Sequence, residues 1–340
     1  MKTHKNKKTI SIPWELGSLL SVVFTVIAGW IFYSRRYIDH HAKVQGVLDA
    51  EQGFFESPAA GKIHYYGDLS GNGHPILILH SLHAAAGVHD IAPIFQAFSN
   101  HQPVYAIDLP GFGGSEKTDR PYRPSMYQAA ITDFIREIIG KPCDVVTLGL
   151  SGEFAALAAL DDPEWIHSII MIAPTGFQMP QSGYLNDKPS WINIQDALYT
   201  ALAIPLWSLP IFDIFASRPK LNQYYQKRFQ YSVPEELVSV AYASAHQPGA
   251  HFAPMVYLSG RLNTKSVREK VYDNLTIPVL VLYDNNPGVR YDMLPYMTRA
   301  HVNWQAKRIR QSRGMPHYDK PGDTFYAMEN FWKQHIGERA

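Results

Sequence analysis

Short, uninterrupted apolar runs recur along this chain and alternate with segments of helical character. The clearest runs are residues 75–80, 103–108, 166–172 and 278–284. A strand that is apolar on both faces belongs to a sheet that is covered on both faces. Helices are expected at residues 86–98, 125–139 and 322–335, and a last strand at 304–309. This alternation predicts an α/β fold with a doubly wound, mostly parallel sheet.

Residues 144–159 form the most informative stretch for chemistry. Their first half is β-branched and apolar, and their second half is rich in Ala and Leu. This pattern predicts a buried strand that turns sharply into a helix around Ser151. A serine on such a turn is the form of a nucleophile elbow. We expect the Ser151 hydroxyl to be exposed, with the Gly152 N–H and the positive end of the helix dipole placed to stabilise an oxyanion.

The composition excludes several functional classes. The 340 residues are 46% hydrophobic, so the chain can bury a sizeable core. The net charge is only +1, which gives no reason to expect nucleic acid as a partner. Cys143 is the single cysteine, so neither an intrachain disulfide nor a cysteine-based metal site is possible. No cofactor is required by any motif in the chain.

The N-terminal region predicts a membrane anchor. Residues 1–15 form a tail that carries four lysines, and residues 16–33 contain no charged side chain. As a helix this run is roughly 27 Å long, close to the ~30 Å hydrocarbon core of a bilayer. A cleaved signal peptide and a buried helix are the alternatives. Positively charged residues are enriched on the cytoplasmic side of membrane helices, so the four lysines weakly favour a cytoplasmic N-terminus. The main domain would then lie on the non-cytoplasmic side of the membrane.

The remaining chain divides into a linker and an interrupted core. Residues 34–61 are expected to be the linker, and residues 62–176 the first part of the α/β core. Between residues 177 and 275 the pattern changes to apolar helices broken by prolines, which indicates an inserted helical lid. The core resumes over residues 276–340. The apolar lid indicates an acyl or lipid-like substrate, although packing of the lid onto the core explains the same residues.

Three motifs give the chain a family resemblance. They are Asp108-Leu-Pro-Gly-Phe-Gly-Gly-Ser115, His80-Ser81 together with Gly149-Leu-Ser151, and His317-Tyr-Asp-Lys-Pro321. With these motifs the chain resembles the α/β-hydrolase superfamily, in its lipase and esterase branch. The resemblance implies a Ser-acid-His triad in that chain order, with Ser151 as the nucleophile. It also implies that the backbone N–H groups of Gly152 and Leu82 form the oxyanion hole.

Two triad positions depart from the family pattern. The family's Asp-Pro after the seventh strand is Asn286-Pro287 here, and Gly314 stands where the family has its histidine. One interpretation is a displaced triad, in which His317 is the base and Asp284 orients it. Another uses a different histidine, such as His83 or His251. The third is loss of hydrolase activity, because a serine hydroxyl is a poor nucleophile without a base in reach.

Four polar residues near the expected site have competing interpretations. His83 lies near the predicted oxyanion loop and is a candidate for substrate contact. Glu153 is another substrate-binding candidate, but a structural role in the first turn of its helix explains it equally. His80 is expected to be structural. Asp108 is expected to order its own Gly-rich loop.

Two hypotheses follow for the whole chain. The first is a membrane-anchored serine hydrolase that cleaves a carboxylic ester or related acyl substrate through Ser151. The second is a catalytically degenerate protein that uses the same fold as a binding or scaffold module. The sequence does not indicate the oligomeric state.

Overall fold

The computed structural model describes residues 14–44, 46–179 and 191–335. Side chains at residues 14–17, 19, 20 and 191–193 are outside this description. The predicted basic tail therefore lies almost wholly outside the described residues, as does part of the predicted lid.

The described strands form one mostly parallel sheet. They are β1 (Glu51–Ser57), β2 (Gly61–Asp68), β3 (Ile76–Leu79), β4 (Val104–Ile107), β5 (Cys143–Leu148), β6 (Ile166–Ile172), β7 (Val279–Tyr283) and β8 (Trp304–Arg308). Their order across the sheet is β1-β2-β4-β3-β5-β6-β7-β8. The β1–β2 and β2–β4 pairs are antiparallel, and the other pairs are parallel. The predicted doubly wound, mostly parallel sheet is confirmed.

Helices cover the sheet and form the segment between β6 and β7. They are α1 (Trp14–Tyr37), α2 (Ala92–Phe98), α3 (Pro124–Phe134), α4 (Ser151–Asp161), α5 (Trp191–Leu202), α6 (Ser208–Ala216), α7 (Arg218–Arg228), α8 (Glu235–Ala245), α9 (Phe252–Leu258), α10 (Val267–Lys270), α11 (Leu294–Ala300), α12 (Pro316–Asp319) and α13 (Pro321–Gln334). A π-helical turn, Ile135–Ile139, extends α3. Short 3-10 helices lie at Val88–Ile91 and Tyr272–Asn274. Helices α5 to α10 occupy the region predicted to be a lid.

The strands bury both of their faces, as their apolar runs predict. Leu77 and Leu79 of β3 belong to one buried cluster, together with Phe154 of α4. Ile76 and Ile78 belong to a second buried cluster, on the other face. Successive side chains of a strand point to opposite faces, so each face of the sheet has its own core.

Strand β1 lies in the stretch that the sequence indicated as linker, and this prediction is corrected. Residues 51–57 pair with residues 61–67 along their whole length. Phe55 is buried in the first core cluster, whereas Phe54 is exposed. The hairpin therefore holds the entry segment to the edge of the sheet.

Helix α1 packs against lid helix α6 through its C-terminal half. The Trp30 indole N–H donates to the Pro210 carbonyl at 2.8 Å. The buried Ser34 hydroxyl donates to Asp213 at 2.6 Å, and the same carboxylate lies 3.0 Å from His40 Nε2. No helix among the described residues has the length and the apolar character that are needed to cross a membrane. The predicted span at residues 16–33 is therefore helical but is not confirmed as a membrane span.

Candidate active site

The turn between β5 and α4 places Gly149 at the strained position. Strand β5 ends at Leu148, and α4 begins at Ser151. Gly149 has φ +63°, whereas Leu150 already has right-handed helical dihedral angles. In a nucleophile elbow the nucleophile is the residue on the sharp, strained turn, where its side chain projects above the sheet. In this chain that residue is Gly149, which has no side chain.

Ser151 lies inside the first turn of α4, and its predicted exposure is corrected. The residue is fully buried. Its hydroxyl lies 3.0 Å from the Leu148 carbonyl oxygen and 3.3 Å from that of Leu79. It also accepts the Leu148 N–H at 3.3 Å. Because the hydroxyl serves backbone groups at the end of the sheet, the structure does not present it to a substrate.

Ser81 occupies the space above Gly149. A Cβ atom built on Gly149 would lie 2.5 Å from Ser81 Oγ, which is far inside van der Waals contact. The family motif has glycine where Ser81 stands, and it has the nucleophile where Gly149 stands. The two positions have therefore exchanged the bulky and the small residue. The room for a nucleophilic side chain at residue 149 is filled.

The two departures noted in the acid and base motifs face each other in space. A Cβ atom on Gly314 would lie 2.8 Å from Asn286 Oδ1 and 3.2 Å from Arg228 Cγ. Residues 286 and 314 are thus placed as an acid and a histidine of a triad would be. In this chain they present an amide and a bare backbone, with the Arg228 side chain alongside.

The displaced triad of Ser151, His317 and Asp284 is not assembled, which corrects that interpretation. His317 is fully buried in α12, and its Nε2 donates to the Asp90 carbonyl at 2.7 Å. Burial lowers the pKa of His317 to about 4. Asp284 instead accepts from Arg308 Nε at 2.7 Å and from the Ser312 N–H at 3.1 Å. The three side chains have separate partners.

Of the two predicted oxyanion donors, the Gly152 N–H is engaged within the turn. The Gly152 N–H donates to the Gly149 carbonyl at 3.3 Å within the turn, so it is directed along the helix. The Leu82 side chain is buried in the first core cluster. Gly149 and Leu150 of the same turn do line the pocket described below. The positive end of α4 therefore still faces that pocket.

His83 belongs to a buried network and not to the turn. Its Nε2 lies 2.7 Å from Asp90 Oδ2, and Asp90 Oδ1 accepts the Tyr225 hydroxyl at 2.8 Å. The His83 ring stacks on Tyr224 with centroids 4.4 Å apart. Because Tyr224 and Tyr225 belong to α7, the network holds this lid helix to the loop after β3. His83 therefore supports the pocket wall.

Glu153 joins α4 to the lid by hydrogen bonds. Its carboxyl group accepts the Thr175 hydroxyl and, at 2.7 Å, the Thr264 N–H. Burial raises the pKa of Glu153, and the two hydrogen bonds oppose that effect. The structural interpretation of this residue agrees with these contacts.

The structural roles predicted for His80 and Asp108 agree with their contacts. Asp108 Oδ2 accepts the Gly114 N–H at 2.8 Å, within its own Gly-rich loop, and lies 2.9 Å from His64 Nδ1. His80 Nδ1 lies 2.6 Å from the Ser81 carbonyl oxygen, and Nε2 accepts the Leu109 N–H at 2.9 Å. Together they lock the two loops that follow β3 and β4.

A cavity of about 90 Å³ lies over Gly149, and we call it the inner pocket. It is lined by Ser81, Leu148, Gly149, Leu150, Ala173, Thr175, Tyr224, Arg228, Tyr257, Asn263, Asn286, Val289, Gly314 and Met315. Arg228 is the charged residue among them. Among the described residues, no cluster of three or more His, Cys, Asp and Glu side chains is placed to hold a metal ion.

Comparison with known proteins assigns the chain to a family. The model of the alpha/beta hydrolase family matches residues 76–328, which is well over half of the chain. The chain belongs to the alpha/beta hydrolase family. The resemblance to the α/β-hydrolase superfamily, inferred from the three motifs, is thereby confirmed.

Relatives of this hydrolase-family chain are distant. It is 29% identical over 173 residues to a protein of Rattus norvegicus named 1-acylglycerol-3-phosphate O-acyltransferase ABHD5, covering 46% of this chain and 47% of that protein. The protein of the same name from Sus scrofa is 26% identical over 243 residues, 65% of this chain and 67% of that protein. The chain thus spans about half the length of the first of these curated relatives.

Several solved structures share the fold of this chain. A structure described as a membrane phospholipase A has a TM-score of 0.65 at 17% identity, covering 96% of each chain. A putative aryl esterase from Burkholderia cenocepacia has a TM-score of 0.65 at 13% identity, covering 84% of this chain and all of that one. At these identities the likeness concerns the fold alone.

Sequence reasoning missed several pocket residues of this alpha/beta hydrolase. The motif predicts Ser151 as the nucleophile, although the extra glycine after Ser151 signals that the turn begins earlier. Ser81 stands where the family has glycine, and no local pattern indicates that its side chain fills the space above the turn. Arg228, Tyr224 and Tyr257 carry no motif, because they reach the pocket from helices of the lid.

Proposed function

We propose that this protein is a non-hydrolytic member of the alpha/beta hydrolase family that binds a small molecule in the inner pocket. One observation carries the proposal: Gly149 stands on the strained turn, with Ser81 Oγ filling the space of a nucleophilic side chain. Asn286 and Gly314 in the acid and base positions support it further. Because the turn has no nucleophile, base or acid, the function that remains for the site is ligand binding.

A serine hydrolase is the competing function, because hydrolysis through a serine is what the family resemblance implies. Labelling with a fluorophosphonate probe separates the two functions. We expect no labelling of the folded full chain, and ester turnover at the level of buffer. Variants Ser151→Ala and Ser81→Ala should both match the wild type, with an active serine hydrolase as the positive control. Labelling that disappears in either variant would establish an activated serine and overturn the proposal.

Membrane attachment through α1 is a second part of the proposal. Val22, Phe24 and Val26 are 61%, 74% and 66% exposed. Ile214 and Phe215 of α6, the helix on which α1 packs, are also exposed. Transfer of each such side chain out of water stabilises the attached state by roughly 2 kcal/mol.

Vesicle flotation of the full chain tests this attachment. We expect the wild type to float with phosphatidylcholine vesicles, and the double variant Phe24→Asp/Val26→Asp to float much less. Val302→Asp is the matched control, because Val302 is fully exposed in the loop before β8. Equal flotation of all three proteins would exclude α1 as the attachment element.

A further inference from the structure

We propose that the inner pocket binds the anionic group of a single-chain amphiphile, and that Arg228 is the partner of that anion. The anionic group is a carboxylate or a phosphate monoester, which offer the same oxygen acceptors to a guanidinium. This inference rests on the proposed non-hydrolytic function. It adds the charge of the ligand, the residue that recognises it and the direction in which its chain leaves the pocket.

Arg228 takes the place of the catalytic base. Its Cγ lies 3.2 Å from the position of a Cβ atom on Gly314, where the family has histidine. A guanidinium remains protonated at any physiological pH, so it cannot accept a proton from a nucleophile. It presents instead several N–H donors in a planar fork that matches an oxyanion. The exchange converts a site for proton transfer into a site for anion binding.

No acidic side chain neutralises Arg228 among the described residues. The residue is half-buried at the end of α7, and no ion pair involves it. Its guanidinium carbon lies 3.8 Å from the centroid of the Tyr224 ring, which positions the fork without satisfying its N–H donors. A half-buried cation without a carboxylate is an incomplete ion pair, and an anionic ligand would complete it.

The walls of the inner pocket supply further donors. Tyr224, Tyr257, Asn263 and Ser81 line the pocket, and each of them carries a side-chain donor. Burial raises the pKa of both tyrosines, so they remain protonated and can donate. The positive end of α4 favours negative charge at the same place. These groups converge from two sheet loops and two lid helices.

The sizes of two adjoining cavities indicate an amphiphile. The inner pocket, at about 90 Å³, holds a small polar group but not a whole lipid. A groove of about 390 Å³, which we call the outer groove, shares Tyr224, Arg228 and Tyr257 with it. Apolar side chains, Phe215, Leu221 and Leu258, line this groove. A chain that leaves Arg228 can therefore run along apolar surface.

The outer groove carries positive charge as well. Lys220 and Lys227 of α7 line it, and the whole helix has two Arg and two Lys but no acidic residue. Phe215, at its edge, belongs to the exposed apolar surface of α6. The groove thus opens toward the surface proposed to meet the membrane. An amphiphile would enter from that side and place its anionic group against Arg228.

Binding of matched probes tests the proposal. The full chain, held in phosphatidylcholine nanodiscs, is titrated with octanoate, octyl phosphate and the neutral 1-octanoylglycerol, with empty discs to subtract partitioning. We expect at least one of the two anionic probes, octanoate and octyl phosphate, to bind about tenfold or more tightly than the neutral ester. The affinities of octanoate and octyl phosphate, compared with each other, identify the preferred anion. Arg228→Gln should lose that advantage, and Arg228→Lys should retain part of it. Arg218→Gln, on the same helix but outside both cavities, should bind as the wild type does.

The outcomes separate this inference from the proposed function. Equal binding of all three probes, unchanged in Arg228→Gln, would overturn the anion site while leaving a non-hydrolytic binding pocket in place. Hydrolysis of 1-octanoylglycerol would overturn the proposed function. No binding of any probe by the wild type would overturn the anion site. A cooperative unfolding transition in every variant ensures that a loss of binding is not a loss of fold.

Discussion

Gly149 and Ser81 show how a single pair of residues changes the chemistry of a site. The β5–α4 turn needs a residue at positive φ, a conformation that costs a non-glycine residue about 1 kcal/mol. A nucleophile elbow accepts that cost in order to project a reactive side chain. Here glycine removes the cost, and Ser81 Oγ takes the freed volume. The turn keeps its shape without its reactive group.

Restoring a serine at residue 149 should therefore not restore catalysis. We expect Gly149→Ser to destabilise the protein by about 1–3 kcal/mol, because the new side chain meets Ser81 Oγ and the backbone is strained. The double variant Ser81→Gly/Gly149→Ser should recover part of that stability. Urea unfolding measures the stability, and turnover of a p-nitrophenyl ester measures the activity. Ester turnover in the single variant would contradict the steric argument.

At the scale of elements, the lid is attached to the body by buried polar contacts. Helix α7 is held by the Tyr225–Asp90 hydrogen bond, and α6 is held to α1 through Asp213. Asp213 is buried, and it accepts from Ser34 and lies 3.0 Å from His40 Nε2. A buried carboxylate with two partners joins elements strongly, because removing it leaves both partners unsatisfied.

Asp213→Ala should loosen α1 from α6. We expect faster trypsin cleavage after Arg35 and Arg36, and a loss of about 1–3 kcal/mol in the stability of this contact. The matched control is Asp39→Ala, an exposed carboxylate just after α1 whose contacts are with the His41 N–H and the His41 ring. Equal cleavage rates in the two variants would show that Asp213 does not hold the helix.

At the scale of the whole molecule, buried histidines make the fold sensitive to acid. Burial lowers the pKa of His80, His89, His246 and His251, and it lowers that of His317 to about 4. In the unfolded chain the pKa of histidine is near 6.5. At a pH between the folded and the unfolded pKa of such a histidine, the unfolded state therefore binds more protons than the folded state. The contribution of neutral, buried histidines is complete above pH 6.5 and is lost as the pH falls toward 4.

His317→Gln isolates one of these contributions. Glutamine retains a donor for the Asp90 carbonyl but does not titrate. We expect the free energy of unfolding to fall less steeply between pH 6.5 and 4 than in the wild type, by up to about 3 kcal/mol over that range. Guanidinium unfolding at several pH values measures the slope, and His101→Gln, at an exposed position, is the control. An unchanged slope in His317→Gln would show that His317 is charged in the fold.

The core of the fold was predictable from local sequence because its signals are local. Strands β3 to β7 are short, buried and mainly apolar runs, and β6 has the predicted bounds. Strand β1 was missed because its pattern of exposed and buried residues, Glu51–Ser57, is typical of an edge. Apolar helices are the prediction for residues 177–275, whereas α7, which supplies Arg228, is largely polar. No local pattern indicates which of its residues faces a distant turn.

The amino-acid sequence by itself determined the α/β architecture, the family and the departures from the family pattern at Asn286 and Gly314, since burial pattern and motif are properties of neighbouring residues. Only the tertiary structure decided that Gly149, and not Ser151, occupies the strained turn. The motif leaves open where the strand ends, and the hydrogen bonds of β5 settle it. Only the tertiary structure shows that Ser81 and Arg228 lie beside this turn, because the packing of the sheet and the lid decides which side chains fill the space above it.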